Sequence, residues 1–273
     1  MGLLAVVTVV RNDDEGLRRT LASLALQTVA PDEVLVLDGS DDPGLARASV
    51  REFPSLPITL EWREPRGVYP AMNEALTLVD SAYVYFLNAG DDLAGPQALA
   101  DVMAVLRDEQ PLWVVARVVF LQPDGRAVAE PPWSYAEERR RLFARGRFPA
   151  HQGVIASTAA LRELGGFDTS YRVAADYALI LRLARRADPV VLPSPIARFR
   201  VGGLSTTHWR IGLEEFHRAR LAAFAPTGRA RALEQADTVQ RWAATTAYRS
   251  LWGPGRPLSG VAARIRSRGG SIE

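Results

Sequence analysis

Residues 33–42 read EVLVLDGSDD, and residues 83–92 read YVYFLNAGDD. Each stretch begins with an apolar run rich in β-branched or aromatic residues and ends in glycine and aspartate, which predicts a buried strand followed by a polar turn. Residues 3–10, LLAVVTVV, predict another buried strand. In sheets of parallel strands, ligands bind beyond the carboxyl ends of the strands. We therefore expect the two acidic turns to share one crevice.

The segments between these strands have the apolar spacing of helices. Leu17, Leu21 and Leu24 predict a helix that ends near Gln27. Further helices are predicted over residues 45–52, 68–79 and 98–107, and a strand over residues 58–62. Alternating strands and helices predict an α/β fold with a mostly parallel central sheet and flanking helices.

The second half of the chain is less regular. It predicts strands at 113–121 and 153–157, a turn at 123–125, and helices at 135–145 and 175–186. Two helices are expected after Ser205, followed by a tail rich in proline, glycine and arginine. These patterns predict one α/β domain over residues 1–205 and a helical C-terminal extension over residues 206–273.

The composition excludes several classes of site. The 273 residues include no cysteine, which rules out disulfides and thiolate metal sites. All 33 basic residues are arginine, so lysine cannot act as a base or bind phosphate, and the net charge of +2 argues against a nucleic-acid partner. The run at 3–10 is too short to cross a membrane and lacks a basic flank and a cleavage site. The expected location is the cytoplasm.

Carboxylates at the strand ends suggest a cation site and a nucleotide site. Asp91 and Asp92 offer the oxygen ligands that Mg²⁺ and Mn²⁺ prefer, and Asp91 is expected at an exposed strand end. Considered alone, this pair is more often a solvated turn, here before the helix at Ala98. Asp38 suits a base or ribose hydroxyl, or an ordinary Asx turn. Because the chain has no Gly-x-Gly-x-x-Gly motif and no Walker loop, phosphates would be bound by a metal and by arginines such as Arg66 or Arg200.

The order of four short motifs extends this interpretation. The chain resembles the inverting family 2 glycosyltransferases with the GT-A fold, in particular a subgroup that builds bacterial surface polysaccharides. The resemblance covers roughly residues 4–206. It is carried by residues 7–12 with 24–28 and 38–41, by 67–73 with 86–92, by 165–168 with 175–177 and 181–183, and by 202–205.

The resemblance implies roles for individual residues. Asp176 would be the general base that deprotonates the acceptor hydroxyl, so that a single displacement inverts the anomeric carbon. Asp91 would hold Mn²⁺ or Mg²⁺. The usual Asp-x-Asp is replaced by Asn88-Ala89-Gly90, so ligation rests on Asp91, with Asp92 as a secondary ligand. The donor, a UDP-, GDP- or dTDP-sugar, would contact Thr8, Arg11, Asp38, Arg66, Asn73, Asn88, Ala89 and Gly90.

Two histidines and the extension have competing interpretations. His151 is expected on the acceptor side of the active site or as a hydrogen-bonded structural residue. His208 would complete the metal shell or lie on the surface. The extension, with Trp209, Trp242, Trp252 and many arginines, would pack onto the main domain, form an oligomer interface, or make peripheral contact with the inner face of a membrane.

The expected activity is transfer of a sugar to a glycan or to a lipid-linked sugar. One alternative is a tailoring glycosyltransferase that acts on a small secondary metabolite. Another is a protein that binds nucleotide sugars without catalysis, and a nucleotidyltransferase is more distant because its glycine-rich basic signature is absent.

Overall fold

A computed structural model describes residues 1–130, 134–136, 148–201 and 209–252, without the side chains of residues 209 and 248–252. Its strands are β1 (Leu4–Val10), β2 (Glu33–Asp38), β3 (Ile58–Trp62), β4 (Tyr83–Phe86), β5 (Asp92–Leu93), β6 (Trp113–Leu121), β7 (Ala127–Ala129), β8 (Val154–Ser157) and β9 (Val190–Arg200). Its α-helices are α1 (Asp14–Ala25), α2 (Pro43–Arg51), α3 (Val68–Leu78), α4 (Ala98–Asp108), α5 (Thr158–Glu163), α6 (Ala175–Arg186), α7 (Trp209–Phe224) and α8 (Gly228–Trp252). A single 3₁₀ turn, His151–Gly153, precedes β8.

The described strands form one sheet in the order β3-β2-β1-β4-β8-β6-β9-β5, with β7 paired to β6. The first four strands of this order are all parallel, as the alternation of strands and helices predicts. Strand β8 is antiparallel to β4 and to β6, and it joins this parallel part to the parallel pair β6 and β9. The α/β class and the mixed, mostly parallel sheet are confirmed.

Helices cover both faces of the sheet. Side chains alternate along a strand, and in β1 both sets are buried: Val7 packs into the cluster that contains α3 and α6, and Val6 into the cluster that contains α1 and α4. Strands buried on both faces have continuous apolar runs, which is why residues 3–10 do not alternate. The two helix layers therefore leave the strand ends as the place where polar side chains can gather.

Several elements differ from the sequence-based prediction. Strand β9 was not predicted, because Pro193 and Pro195 interrupt its apolar pattern, and its register with β6 shifts at this point. Helix α5 and strand β5 are short and have no clear periodicity in the sequence. Of the helix predicted at 135–145, residues 137–145 lie outside the described residues.

The two helices predicted after Ser205 are present as α7 and α8. Helix α7 packs on α6, where the rings of Phe216 and Tyr177 meet edge to face at 5.1 Å. Buried Arg220 donates to Glu234 and Thr238 of α8, which ties the two C-terminal helices together. The boundary predicted at 205/206 falls in residues 202–208, outside the described part. No helix in the described ranges has both the length and the apolar character needed to cross a membrane.

Candidate active site

The two acidic turns lie at the same edge of the sheet. Strands β2 and β4 both flank β1 and run parallel to it, so residues 38–42 and 88–92 emerge on either side of the carboxyl end of β1. The loop after β1 is joined to the first of these turns. The Asn12 side chain donates to Asp41 Oδ2 and accepts the Asp41 backbone N–H, each at 3.0 Å, and the Asn12 backbone N–H donates to Ser40 Oγ at 2.8 Å. The prediction that both turns lie at one edge of the sheet is confirmed, and a crevice shared by them stays a prediction.

Asp38 is a buried carboxylate with one oxygen unused. Its Oδ1 accepts the backbone N–H of Ser40 at 2.8 Å, whereas Oδ2 has no hydrogen-bond partner among the described residues. The side chain is 1 % exposed, and a buried carboxylate oxygen without a partner is energetically costly. A ligand that donates a hydrogen bond would remove this cost.

The 88–92 turn is held in place by Thr20 of α1. The fully buried Thr20 hydroxyl donates to the carbonyl oxygen of Asp91 at 2.6 Å and accepts the backbone N–H of Gly90 at 3.2 Å. Gly90 has φ +94, a conformation that glycine adopts without strain. This turn leaves Asn88 Oδ1 buried and without a partner in the described part of the chain.

Asp91 is buried, at 6 % exposure, and the sequence-based expectation that it lies at an exposed strand end is wrong. Strand β5 begins at the next residue and pairs with β9, which covers this side of the turn. Gln152 Nε2 donates to Asp91 Oδ2 at 3.1 Å. Burial raises the pKa of Asp91 to about 7 despite that hydrogen bond. A cation beside Asp91 would favour its charged form.

Asp92 has a partner of its own. Its Oδ2 forms an ion pair with the Arg198 guanidinium across the β5–β9 pairing. The described residues contain no group of three or more histidine, cysteine or acidic side chains that could enclose a metal. Mg²⁺ is usually bound by one or two carboxylates together with substrate phosphates, so Asp91 suits such a cation and Asp92 is the weaker candidate.

Asp176 lies in the first turn of α6, at the wall of a cavity of about 350 Å³. Its Oδ1 accepts the backbone N–H of Tyr177 at 2.8 Å and the Tyr69 hydroxyl at 3.4 Å. Burial raises the pKa of Asp176 to about 6. A carboxylate with this pKa is mostly ionised at neutral pH and accepts a proton more readily than an ordinary aspartate.

The cavity also connects Asp176 to the turn after β4. Its wall includes Asn88, His151 and Gln152, the residue that donates to Asp91. Burial lowers the pKa of His151 to about 4, so its imidazole is neutral, and its Nε2 lacks a hydrogen-bond partner within the described ranges. Much of the remaining wall is aromatic and consists of Tyr69, Phe120, Phe148, Phe199 and Phe216.

Asp38 and Asp91 are buried at the strand ends, and Asn88 of the second turn shares a cavity wall with Asp176. This arrangement suits a transferase with two substrates. The family model for glycosyl transferase family 2 matches residues 5–164. The chain belongs to this family. It is a glycosyltransferase, as the motifs at 38–41, 86–92 and 175–177 imply.

Relatives and solved structures agree with this assignment. An uncharacterized glycosyltransferase of Mycobacterium tuberculosis is 28% identical over 212 residues, which cover 74% of this chain and 77% of the relative. A PGL/p-HBAD biosynthesis glycosyltransferase of Mycobacterium bovis is 29% identical over 196 residues, 68% of this chain and 73% of the relative.

The mannosyltransferase PcManGT from Pyrobaculum calidifontis, in complex with GDP-Man and Mn²⁺, superposes with a TM-score of 0.66 at 21% identity, over 97% of this chain and 80% of its own. S. aureus TarS 1-349 in complex with UDP gives 0.63 at 18% identity, over 87% and 70%. These similarities show that the glycosyltransferase has the GT-A fold.

Some residues expected at the donor are already engaged within the glycosyltransferase. The fully buried Thr8 hydroxyl donates to the carbonyl oxygen of Leu87 at 2.9 Å. The Asn73 side chain accepts the Phe167 N–H at 2.7 Å and donates to the Phe167 carbonyl oxygen at 2.8 Å. A Cβ at Gly166 would lie 2.3 Å from Asn73 Oδ1. These hydrogen bonds within the protein account for the Thr8 and Asn73 side chains without a ligand. The expectation that these two residues contact the nucleotide sugar therefore gains no support.

The remaining expected residues are placed as follows. Arg11 and Arg66 have exposed side chains, and their nearest acidic partners, Asp41 and Glu64, each lie 3.7 Å away. Ala89 is partly buried against the core, and its N–H donates to Val9 at 3.2 Å. His208 lies outside the described residues.

Sequence reasoning missed Thr20 and Gln152 as supports of the 88–92 turn. Neither belongs to an acidic or glycine-rich motif, and both reach the turn from more than sixty positions away in the chain. Nothing local in the sequence indicates these contacts.

Proposed function

We propose that the glycosyltransferase binds a nucleotide diphosphate sugar at the 38–42 and 88–92 turns and transfers its sugar, with inversion, to an acceptor in the adjoining cavity. The observation that carries this proposal is the cavity of about 350 Å³ that Asn88 and Asp176 both line. A donor over the strand ends would present its anomeric carbon to an acceptor hydroxyl beside Asp176.

The donor half rests on Asp38 and Asn88, which each have a buried oxygen without a partner in the described part of the molecule. These oxygens can accept hydrogen bonds from a nucleobase or ribose and from the sugar. Proteins of the same fold have been solved with UDP, UDP-GlcNAc and GDP-Man, which supports a nucleotide sugar as donor. We therefore propose the nucleobase of the donor only as a class, namely uracil, guanine or thymine.

Asp91 would hold Mn²⁺ or Mg²⁺ together with the donor phosphates. Such a cation neutralises the charge that develops on the leaving diphosphate. Its presence in the PcManGT complex supports a metal-assisted reaction. Gln152 would orient the carboxylate through its hydrogen bond to Oδ2.

Asp176 would act as the general base. One of its carboxylate oxygens takes the proton of the acceptor hydroxyl as that oxygen attacks the anomeric carbon. The bond from this carbon to the diphosphate oxygen breaks, and the nucleoside diphosphate leaves. Attack from the side opposite the leaving group inverts the configuration. His151, neutral and against the cavity, would contact the acceptor.

The acceptor is proposed to be a glycan or a lipid-linked sugar. Aromatic rings such as Phe120 and Phe199 provide flat apolar surfaces on which the C–H face of a sugar ring can pack. The same rings favour a second candidate, a small metabolite with an aromatic core. The relative named for PGL/p-HBAD biosynthesis supports a role in biosynthesis. Cytoplasmic location and membrane contact through the extension stay predictions.

A thermal-shift series tests the donor class. UDP, GDP and dTDP are each added with Mn²⁺, with Mg²⁺ and with EDTA, because a ligand that binds the native state raises the melting temperature. We expect one nucleotide to give the largest shift, and a divalent cation to enlarge it. The matching nucleotide sugar is then incubated with glycoside acceptors and with aromatic acceptors, and the release of nucleoside diphosphate is measured. The acceptor class that stimulates this release separates the two acceptor candidates. No shift with any nucleotide would overturn the proposal.

Replacement of Asp38 is expected to weaken nucleotide binding. Asp38→Asn keeps an oxygen that can accept the Ser40 N–H but replaces the unpartnered Oδ2 with a donor. The nucleotide would lose a hydrogen bond to the charged carboxylate, which should weaken binding of the nucleoside diphosphate by about 1–3 kcal/mol. Isothermal titration calorimetry with the nucleotide alone measures this without an acceptor.

Asp41→Asn is the matched control, because Asp41 belongs to the same turn but has a largely exposed side chain. We expect its nucleotide affinity to stay close to that of the wild type. Equal affinities for Asp38→Asn and the wild type would leave Asp38 as a turn residue only.

A further inference from the structure

We propose that Glu215, in helix α7 of the C-terminal extension, is a positioning residue for Asp176. The inference rests on the proposed role of Asp176 as the base and adds that the extension completes the active site. Glu215 lies 39 positions after Asp176 in the chain and outside every motif of the family resemblance. Its contacts nevertheless converge on the start of that helix.

Glu215 caps the backbone of residues 172–174, which lead into the helix that carries Asp176. Its Oε1 accepts the backbone N–H of Arg172 at 2.7 Å, and its Oε2 accepts the N–H groups of Val173 at 2.7 Å and Ala174 at 3.0 Å. The N-cap position of α6 is Ala174, whose side chain cannot accept a hydrogen bond. The first N–H groups of a helix have no partner within it. Glu215, 9 % exposed, accepts the N–H of this N-cap residue and the N–H groups of the two residues before it.

The capped segment also holds Asp176 through Tyr69. The Tyr69 hydroxyl donates to the carbonyl oxygen of Val173 at 2.8 Å and approaches Asp176 Oδ1 at 3.4 Å. Glu215 therefore fixes the backbone on which this tyrosine depends, two to four residues before the carboxylate. A shift of this segment would move Asp176 relative to the acceptor, and a displacement of about 1 Å at a reacting group can cost a hundredfold in rate.

The charge of Glu215 acts on Asp176 as well. Burial is the main cause of the raised pKa of Asp176, and the negative charge of Glu215 raises it further. On other elements, the Tyr69 hydroxyl opposes this effect, because its hydrogen bond to Asp176 lowers the pKa of that carboxyl. His151 carries no charge near pH 6, since burial lowers the pKa of its imidazole. The other titratable or charged groups at or beside this cavity are Tyr177, Glu130 and Arg172.

Two variants separate the effect of Glu215 on the position of the backbone before Asp176 from the effect of its negative charge. Glu215→Gln keeps one oxygen that can accept the Val173 and Ala174 N–H groups but carries no charge. Glu215→Ala removes all three hydrogen bonds. Glu214→Gln is the matched control, because it makes the same charge change at the exposed neighbouring position. Removing a negative charge near a carboxyl group lowers the pKa of that group.

The test uses the full chain without substrate. Carboxyl ¹³C NMR follows the titration of Asp176, assigned by comparison with Asp176→Asn. We expect Glu215→Gln to lower the pKa of Asp176 by roughly half a unit, and Glu214→Gln to leave it near the wild-type value. Hydrogen exchange should accelerate at residues 172–174 in Glu215→Ala at least about tenfold, with the core of the sheet still protected.

Turnover links these measurements to catalysis. Release of nucleoside diphosphate should fall in Glu215→Ala with an unchanged affinity for the nucleotide, because the hydrogen bonds that Glu215 accepts come from residues 172–174 and not from the donor turns. An unchanged pKa in Glu215→Gln together with unchanged exchange in Glu215→Ala would overturn the proposal. Wild-type turnover in Asp176→Asn would instead overturn the proposed role of Asp176 while leaving the NMR result intact, so the two failures are distinguishable.

Discussion

Asp176→Asn is expected to lower kcat by at least about a hundredfold, because general-base catalysis typically contributes factors of 10² to 10⁴. Asparagine has nearly the same shape, and its side-chain oxygen can still accept the N–H of Tyr177, as Oδ1 does at 2.8 Å. It cannot take a proton from the acceptor. The affinity for the nucleotide should be unchanged, since the 38–42 and 88–92 turns are unaffected.

The stability of this variant should not fall. The pKa of Asp176 is raised to about 6 in the folded state, so folding disfavours the charged form and the stability of the wild type decreases as the pH rises from the unfolded value through about 6. A neutral asparagine avoids that loss. At pH above this range the melting temperature of Asp176→Asn should equal or exceed that of the wild type.

The pH profile provides a second measurement. Wild-type kcat should fall as the pH decreases through about 6, because protonated Asp176 cannot act as a base. Asp176→Asn should lack this acid limb. Asp168→Asn serves as the control, because Asp168 lies in the exposed turn before α6, where its Oδ1 accepts the Ser170 N–H at 2.9 Å. Wild-type turnover in Asp176→Asn would remove this residue from the mechanism.

The edge of the sheet that forms the site could be predicted from the sequence. Strands such as β2 and β4 have strong local signals, and each ends in a polar turn that marks its carboxyl end. The rule that ligands bind beyond the carboxyl ends of parallel strands then brings the two turns together. No information about distant contacts is needed for this step.

The supports of the site could not be predicted. Gln152 reaches Asp91, Asn73 bridges to Phe167, and Glu215 caps the backbone before Asp176, all across long sequence separations. A single polar side chain with no periodicity does not reveal its partner. The same limit explains why Asp91 was expected to be exposed. Strand β9 covers it, and two prolines interrupt the apolar pattern by which this strand could be predicted.

Asp91→Asn is expected to abolish the metal dependence of nucleotide binding and to reduce transfer roughly a thousandfold, since a bound cation contributes several kcal/mol of charge stabilisation. The asparagine oxygen can still accept the Gln152 amide, so the turn should persist, whereas alanine would remove this hydrogen bond. Calorimetry with the nucleoside diphosphate, with Mn²⁺ and with EDTA, measures the metal-dependent part directly. In the wild type EDTA should stop transfer, and Mn²⁺ or Mg²⁺ should restore it.

Asp92→Asn is the matched control for this prediction. Asp92 neighbours Asp91 and is equally buried, but its carboxylate is paired with Arg198. Its replacement should lower the melting temperature, because Arg198 loses its ionic partner, and should leave the metal-dependent gain in nucleotide affinity in place. If Asp92→Asn abolishes this gain and Asp91→Asn keeps it, the two aspartates have the opposite roles, and the cation lies on the β5 side of the turn. Full activity of the wild type in EDTA would exclude the metal-assisted reaction altogether.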